Sequence, residues 1–407
     1  MARTRLSLFS VFFTFFVDNL CWSIVFPILA PYFLDPHNQI FSKETSDAMR
    51  TAIFSLFLMA YSLGQFLGAP LLGEYADRHG RKKALGVSVL FTLVGLVLSA
   101  WSMEKGYLVW LFLGRLITGV FASNMSICLA AVSDLSENEK AQVKNFGYLS
   151  VCAGLSFVLG AFLGGKLSDP TVNVAFSPYL PLWIASGLTV INLLFVLFGF
   201  EETGGVQPDV KYNFFESFAN IKKALKTEKI KKFYAIYFLF FFSWTILLQF
   251  IPILVVRSFD FTGSSIGNLS LYMGFCWAVG SGYLNRVLTK YFSPLGVLEF
   301  CLVSFTAVCA LIIFPNHLYG VLILLGLCVI LGGLAWPLCT NVISNLAGKS
   351  MQGKVLGMSQ SMQSLAMTVA PLVGGVAYQG YLGLPFLLGA FASFVASIIY
   401  FSLKDRK

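Results

Sequence analysis

The sequence predicts an all-α membrane protein, with twelve transmembrane helices in two pseudo-symmetric six-helix bundles. Three observations predict it. Of 407 residues, 57% are hydrophobic and 12% charged, about half the roughly 25% charge of a soluble domain. The apolar residues gather in twelve runs of about 20 residues, the length a helix needs to cross the hydrocarbon of a bilayer. The cations are also sorted: of 28 Lys and Arg, 22 fall in one alternating set of connections, and five (Lys43, Arg50, Lys105, Lys166, Arg257) fall in the other. Only Arg115 remains, inside a run. This is the positive-inside pattern, with both termini cytoplasmic. It also removes nucleic acid as the partner for a net charge of +9, because the cations form no stripe.

In order, Arg3 and Arg5 hold the N-terminus inside. Span 1 (6–33) is bent near Pro27 and Pro31, and its length far exceeds the 7–15-residue apolar core of a cleaved signal. Span 2 (52–72) returns to a polar connection at 73–83, and span 3 (84–103) leads to an outer turn at 104–106. Spans 4 to 6 occupy 107–132, 146–167 and 180–200. The segment 201–232 carries seven lysines and stays in the cytoplasm; its part 214–232 reads either as an amphipathic helix on the membrane face or as a solvated linker. Spans 7 to 12 follow at 233–256, 266–288, 295–314, 318–342, 355–378 and 384–403, with a basic tail to Lys407. The domains are therefore 1–200, 201–232 and 233–407.

The two bundles repeat one another. Phe26-Pro27-Ile28-Leu29 in span 1 matches Ile251-Pro252-Ile253-Leu254 in span 7. Tyr75-Ala76-Asp77-Arg78 has an echo in Tyr283-Leu284-Asn285-Arg286. Gly147 precedes Gly164-Gly165 as Gly357 precedes Gly374-Gly375. Three matches in one order indicate duplication.

Charge inside the membrane is expensive, at least ~2.5–3.5 kcal/mol for an acid or base at mid-bilayer. Three residues stand against that background. Asp18 is near the middle of span 1, Arg115 in the outer part of span 4, and Glu299 a turn or two inside the cytoplasmic end of span 9. Asp18 is the proton-carrier candidate, with Arg115 as its counter-charge; the alternative is a structural ion pair that never titrates. Glu299 either joins the coupling or braces a loop cation such as Arg286. The three histidines (His37, His79, His317) lie in connections, and the eight cysteines show neither metal-type spacing nor a disulfide framework.

The connection Gly73-Glu74-Tyr75-Ala76-Asp77-Arg78-His79-Gly80-Arg81-Lys82-Lys83 matches Gly-x-x-x-Asp-Arg-x-Gly-Arg-Lys at every fixed position. It resembles the signature loop of the major facilitator superfamily. The resemblance covers the whole chain and implies a substrate site between the halves, lined by spans 1, 4, 7 and 10. Asn19, Trp22, Asn124, Trp244, Gln249, Trp336 and Asn341 lie on those spans and are the substrate-binding candidates; an aromatic wall with few polar groups suits an amphipathic organic solute. The resemblance further implies that Asp77 braces the start of span 11, and that Arg81 pairs with Asp134 to lock the cytoplasmic side. Gly73, Arg78 and Gly80 complete this gating motif.

Within that family the chain looks most like the drug/proton antiporters. Val17-Asp18-Asn19 precedes Pro27 in span 1, and Gly114-Arg115-Leu116-Ile117-Thr118-Gly119 carries the Arg-x-x-x-Gly pattern. In Gly160-Ala161-Phe162-Leu163-Gly164-Gly165, Ala161 stands where antiporters usually show proline. The expectation is a monomeric secondary transporter of the bacterial inner (plasma) membrane, using protons to export amphipathic organic compounds or drugs. The alternative is a proton-coupled transporter of a specific metabolite or siderophore-like chelate. A sensor would need an added soluble domain. An enzyme is not expected, since no Ser/His/Asp set, metal cluster or phosphate-binding Gly-x-x-x-x-Gly-Lys loop occurs, and no cofactor is implied.

Overall fold

The computed structural model describes residues 2–35, 38, 40–42, 44–203, 219, 222, 228–347 and 352–404. Among them the regular structure is all helical, with no strand. The first helices are α1 (Ala2–Ser23), α2 (Phe26–Leu34), α3 (Asp47–His79), α4 (Arg81–Lys105), α5 (Leu108–Phe121), α6 (Met125–Leu135), α7 (Glu139–Leu167) and α8 (Leu180–Leu194). A π-helical turn at Phe195–Gly199 ends α8. Then come α9 (Glu228–Phe259), α10 (Gly263–Ala278), a π-helical stretch at Val279–Leu284, and α11 (Asn285–Tyr291). The last are α12 (Pro294–Leu311), α13 (Leu318–Ala347), α14 (Gln352–Tyr378) and α15 (Leu384–Lys404).

Ten helical stretches are long and apolar enough to cross a membrane, so the chain is an integral multi-pass membrane protein. The stretches expected as spans 8 and 11 are helical but fall outside those ten. Their physical reason is composition: α10 opens Gly263-Ser264-Ser265, and α14 carries Ser359, Gln360, Ser361, Gln363 and Ser364 along one stretch. Most of the expected amphipathic segment 214–232, like the basic tail after residue 404, lies outside the described residues.

The chain divides into two compact units. The first holds residues 1–45, 60–215 and 262–270, and the second holds 46–59, 216–261 and 271–407.

Local sequence explains where the first unit's helices break. Pro27 has no N–H to give, so span 1 separates into α1 and α2 around Ile24 and Val25. Span 4, expected as one helix, is interrupted at residues 122–124 between α5 and α6. By contrast, the connection expected at 73–83 is almost all helix. Helix α3 runs to His79, α4 starts at Arg81, and Gly80 alone stands between them with φ +91°. Only glycine adopts that backbone without strain. Beneath this turn, Val11, Phe15, Leu72, Ala84, Leu85, Val89, Val132 and Phe200 form part of a buried apolar core.

Candidate functional site

Asp18 projects from α1 and is only 7% exposed, and neither carboxylate oxygen has a hydrogen-bond partner. A polar neighbour is Asn124, the residue just before α6. Its amide donates to Ser88 Oγ on α4 at 2.8 Å, and that hydroxyl donates to the Phe121 carbonyl at 2.6 Å. The relay has a clear cause. Where span 4 breaks, the Phe121 carbonyl loses its helical acceptor role, and a buried carbonyl needs another donor. The break thus places the Asn124 amide beside the one acid in the interior of α1.

Arg115, on α5, is 5% exposed. Its guanidinium carbon lies 4.6 Å from the centre of the Tyr61 ring on α3, a cation–π contact. Nε and Nη1 make no hydrogen bond. The Arg-x-x-x-Gly spacing explains the placement. Gly119 follows Arg115 by one turn on the same helix face, and a Cβ on Gly119 would collide with the Tyr61 backbone carbonyl. Without that side chain α5 settles against α3, and Arg115 then reaches over the Tyr61 ring.

The expected ion pair between Asp18 and Arg115 is not formed. Both Asp18 oxygens lack a hydrogen-bond partner, while the guanidinium lies on an aromatic face instead. Tyr61 is within electrostatic reach of both charges. Sequence reasoning missed Tyr61, because one tyrosine in an apolar run carries no signal that it sits under a cation.

The other first-unit candidates have modest roles. Asn19 turns its amide back onto the Phe15 carbonyl at 2.8 Å. The Trp22 ring lies 5.5 Å from that of Phe157. A Cβ on Gly164 would strike the Ile24 carbonyl, so the glycines of α7 let it pack against the break that ends α1.

In the second unit, Trp244 on α9 and Trp336 on α13 belong to one aromatic cluster. Trp277 on α10 joins them, 5.1 Å from Trp244 and 5.4 Å from Trp336, and Phe241 packs edge-on to Trp336 at 4.9 Å. Gly332 allows this, since a Cβ there would occupy the Trp244 ring. Trp277 was also missed; it is on a span the resemblance leaves out of the cavity. Gln249 has a buried Oε1 without a hydrogen bond. Asn341 is exposed, and Glu299 is half-buried near Tyr400 at the start of α12. Neither belongs to the aromatic cluster. Among the described residues no group of three or more His, Cys, Asp or Glu is placed to hold a metal.

Around the gating motif, Arg81 pairs with Asp134. A further partner comes from Glu202, a residue the sequence reading did not single out. Its Oε1 accepts from the Arg81 N–H at 2.7 Å, and Oε2 accepts from the Lys82 N–H at 3.1 Å. The first turn of a helix has free N–H groups and a positive dipole end, and Glu202 meets both. Asp77 and Arg78 are exposed, and Gly73 has open space around it.

Comparison with known proteins agrees with this architecture. The family model for the Major Facilitator Superfamily matches residues 11–300 and 233–407. The tetracycline resistance protein of class B from Escherichia coli is 27% identical over 339 residues, covering 80% of this chain and 79% of that protein. The quinolone resistance protein NorA of Staphylococcus aureus (strain COL) is 24% identical, covering 98% and 97%. Among solved structures, the human organic anion transporter MFSD10 (TETRAN) superposes with a TM-score of 0.73 at 20% identity, covering 98% of this chain and 99% of that one. A D-xylose–proton symporter gives 0.76 at 12% identity, covering 97% of each. With its helical membrane architecture, glycine-hinged α3–α4 turn and family match along the chain, this protein belongs to the Major Facilitator Superfamily and is similar to its drug/proton antiporters.

Proposed function

We propose that this chain is a proton-coupled exporter of amphipathic organic compounds, working by alternating access, with Asp18 as the group that carries the proton. The observation that carries the reading is the state of Asp18: an acid buried in a helical bundle, with no cation paired to it, Asn124 as its polar neighbour and neither oxygen in a well-formed hydrogen bond. An acid fixed in a structural network would have its lone pairs occupied. One left without partners in a membrane interior is a functional group by default. The tetracycline and quinolone resistance relatives supply the substrate class.

The same reading takes twelve crossings in two six-helix bundles, with both termini in the cytoplasm of a bacterial inner membrane and a monomer as the working unit. The stretches Gly263–Tyr291 and Gln352–Tyr378 are then the eighth and eleventh crossings, their polar residues facing protein rather than lipid. Asn19, Trp22, Asn124, Gln249, Asn341 and the cluster of Trp244 and Trp336 contribute substrate contacts. Glu299 is a secondary proton-coupling candidate. The pair of Arg81 and Asp134, with Asp77, Arg78 and the glycines, serves as the cytoplasmic gate.

Moving one charge through 100 mV is worth ~2.3 kcal/mol, so a single titrating acid supports tens-fold accumulation of a neutral solute. The test is purified protein in vesicles under an imposed proton gradient, offered tetracycline, a fluoroquinolone and a panel of metabolites. Drug movement accompanied by opposite proton movement is expected, and it should vanish in Asp18→Asn while drug binding stays. If Asp18→Asn still concentrates drug at the wild-type rate, coupling through this acid is wrong. Movement of a metabolite alone would replace the drug reading.

A further inference from the structure

We infer that Arg115 and Tyr61 form a recognition site for the carboxylate of an amphipathic organic anion; the inference rests on the transport reading above and narrows its substrate class. Arg115 keeps its charge under all ordinary conditions. It is 5% exposed, and its Nε and Nη1 hydrogens are unused. Buried N–H groups nearly always find an acceptor, so a buried guanidinium with three of its five free is an incomplete site.

No nearby acid completes it. Asp18 accepts no hydrogen bond from it. Asp134, farther along the same span, is occupied by Arg81.

The geometry selects the missing partner. The Tyr61 ring, 4.6 Å from the guanidinium carbon, offers a π face but no acceptor in the plane of the guanidinium, where its N–H bonds point. A planar acceptor with two oxygens fits that fork better than a spherical ion. Burial also selects, because a small, strongly hydrated anion would lose its water without repayment, whereas an anion on an apolar body gains by leaving water. The ligand is therefore an organic carboxylate with an aromatic or aliphatic body. Gly119 is part of the site at one remove, since it lets α5 approach Tyr61.

The test compares 2-naphthoate with the neutral 2-naphthamide, two probes of one shape, binding to the purified full-length protein at neutral pH. Wild type should bind the acid about tenfold or more tightly than the amide, as expected when a buried charge gains its partner. Arg115→Gln should erase the preference while keeping amide binding, which also reports that it folds. Asp18→Asn should keep the preference. Equal binding of acid and amide by wild type, which needs no variant, would overturn the site and leave a buried water as the partner of Arg115. An unchanged preference in Arg115→Gln would overturn it as well. The transport reading is judged separately, by drug movement under a proton gradient: its absence, with the preference for naphthoate intact, would sink transport and leave the site standing.

Discussion

The guanidinium carbon of Arg115 lies over the ring of Tyr61, 4.6 Å from its centre, and Nε and Nη1 donate no hydrogen bond. A cation in the membrane interior is thus held by an aromatic face rather than by the acid expected to neutralise it. Replacing Tyr61 by Leu should remove that contact and destabilise the protein by about 0.5–2 kcal/mol, the range of cation–π contacts. Tyr61→Phe keeps the ring and loses only the long 3.4 Å contact from Gln65 Nε2. Thermal unfolding in detergent should therefore rank wild type and Tyr61→Phe together, above Tyr61→Leu. Equal stability of the two variants would show that the ring is packing and nothing more.

Gly119→Ala tests the same arrangement from the other side. The new methyl meets the Tyr61 carbonyl, which is backbone and has little freedom to withdraw. Overpacking of this kind costs about 1–3 kcal/mol. A shift of α5 relative to α3 should also change accessibility of a cysteine reporter beside Tyr61, and an unaltered reporter with unaltered stability would refute the account of the Arg-x-x-x-Gly spacing.

The α3–α4 turn depends on Gly80 and Glu202 together. Glu202→Ala removes acceptors from the Arg81 and Lys82 N–H groups, and loss of a carboxylate at a helix start costs about 0.3–1 kcal/mol. Amide hydrogen exchange in the first turn of α4 should quicken, with the rest of α4 unchanged. Gly80→Ala is the harsher change, because φ +91° is strained for any residue with a side chain and the methyl would also meet Glu202. Roughly 1–3 kcal/mol is expected for the strain.

For the pair of Arg81 and Asp134, both side chains are partly exposed, so a double-mutant cycle on stability should give only ~0.2–1 kcal/mol. Its effect on the cycle is expected to be larger than on the fold. Arg81→Asp should impair transport, and the exchanged pair Arg81→Asp with Asp134→Arg should recover part of it. No recovery would mean that each charge acts alone.

A pH dependence is expected at the other end of α7. Burial pushes the Asp169 carboxyl up, but hydrogen bonds from Thr262, Thr171 and the Ser264 and Thr171 N–H groups outweigh it and hold the group below its ordinary 3.8. A depressed carboxylate stabilises the fold at pH values above its unfolded pKa. That contribution is lost as pH falls through the folded value. Asp169→Asn should therefore unfold at a lower temperature than wild type at pH 7, and the gap should close as the pH falls below about 3.8. A gap that persists undiminished in acid would mean that shape rather than charge holds the α7–α10 junction.

Much of this protein is legible before any coordinates. Helical membrane architecture follows from chain composition, since lipid offers the backbone no hydrogen-bond partner and a helix satisfies it internally. The break after α1 follows from Pro27, and the sharp α3–α4 turn from Gly80, because each residue restricts or frees its own backbone. Asp18 and Arg115 stand out individually for the same local reason: the cost of a charge in hydrocarbon belongs to the residue. Partnership does not belong to one residue. Whether Arg115 meets Asp18 or Tyr61 depends on how closely α5 approaches α3, which Gly119 permits but one linear sequence does not announce. The break at 122–124 is of the same kind, stabilised by Ser88 from a helix more than thirty residues away. Glu202 and Trp277 were overlooked for this reason too. A carboxylate after an apolar run and a tryptophan within one look ordinary in sequence, and acquire their roles only where packing brings an uncapped helix start or two other indoles against them. Local backbone and solvation costs were therefore decided by the residues themselves, while contacts between helices were decided only when tertiary packing set the distances over which those contacts act.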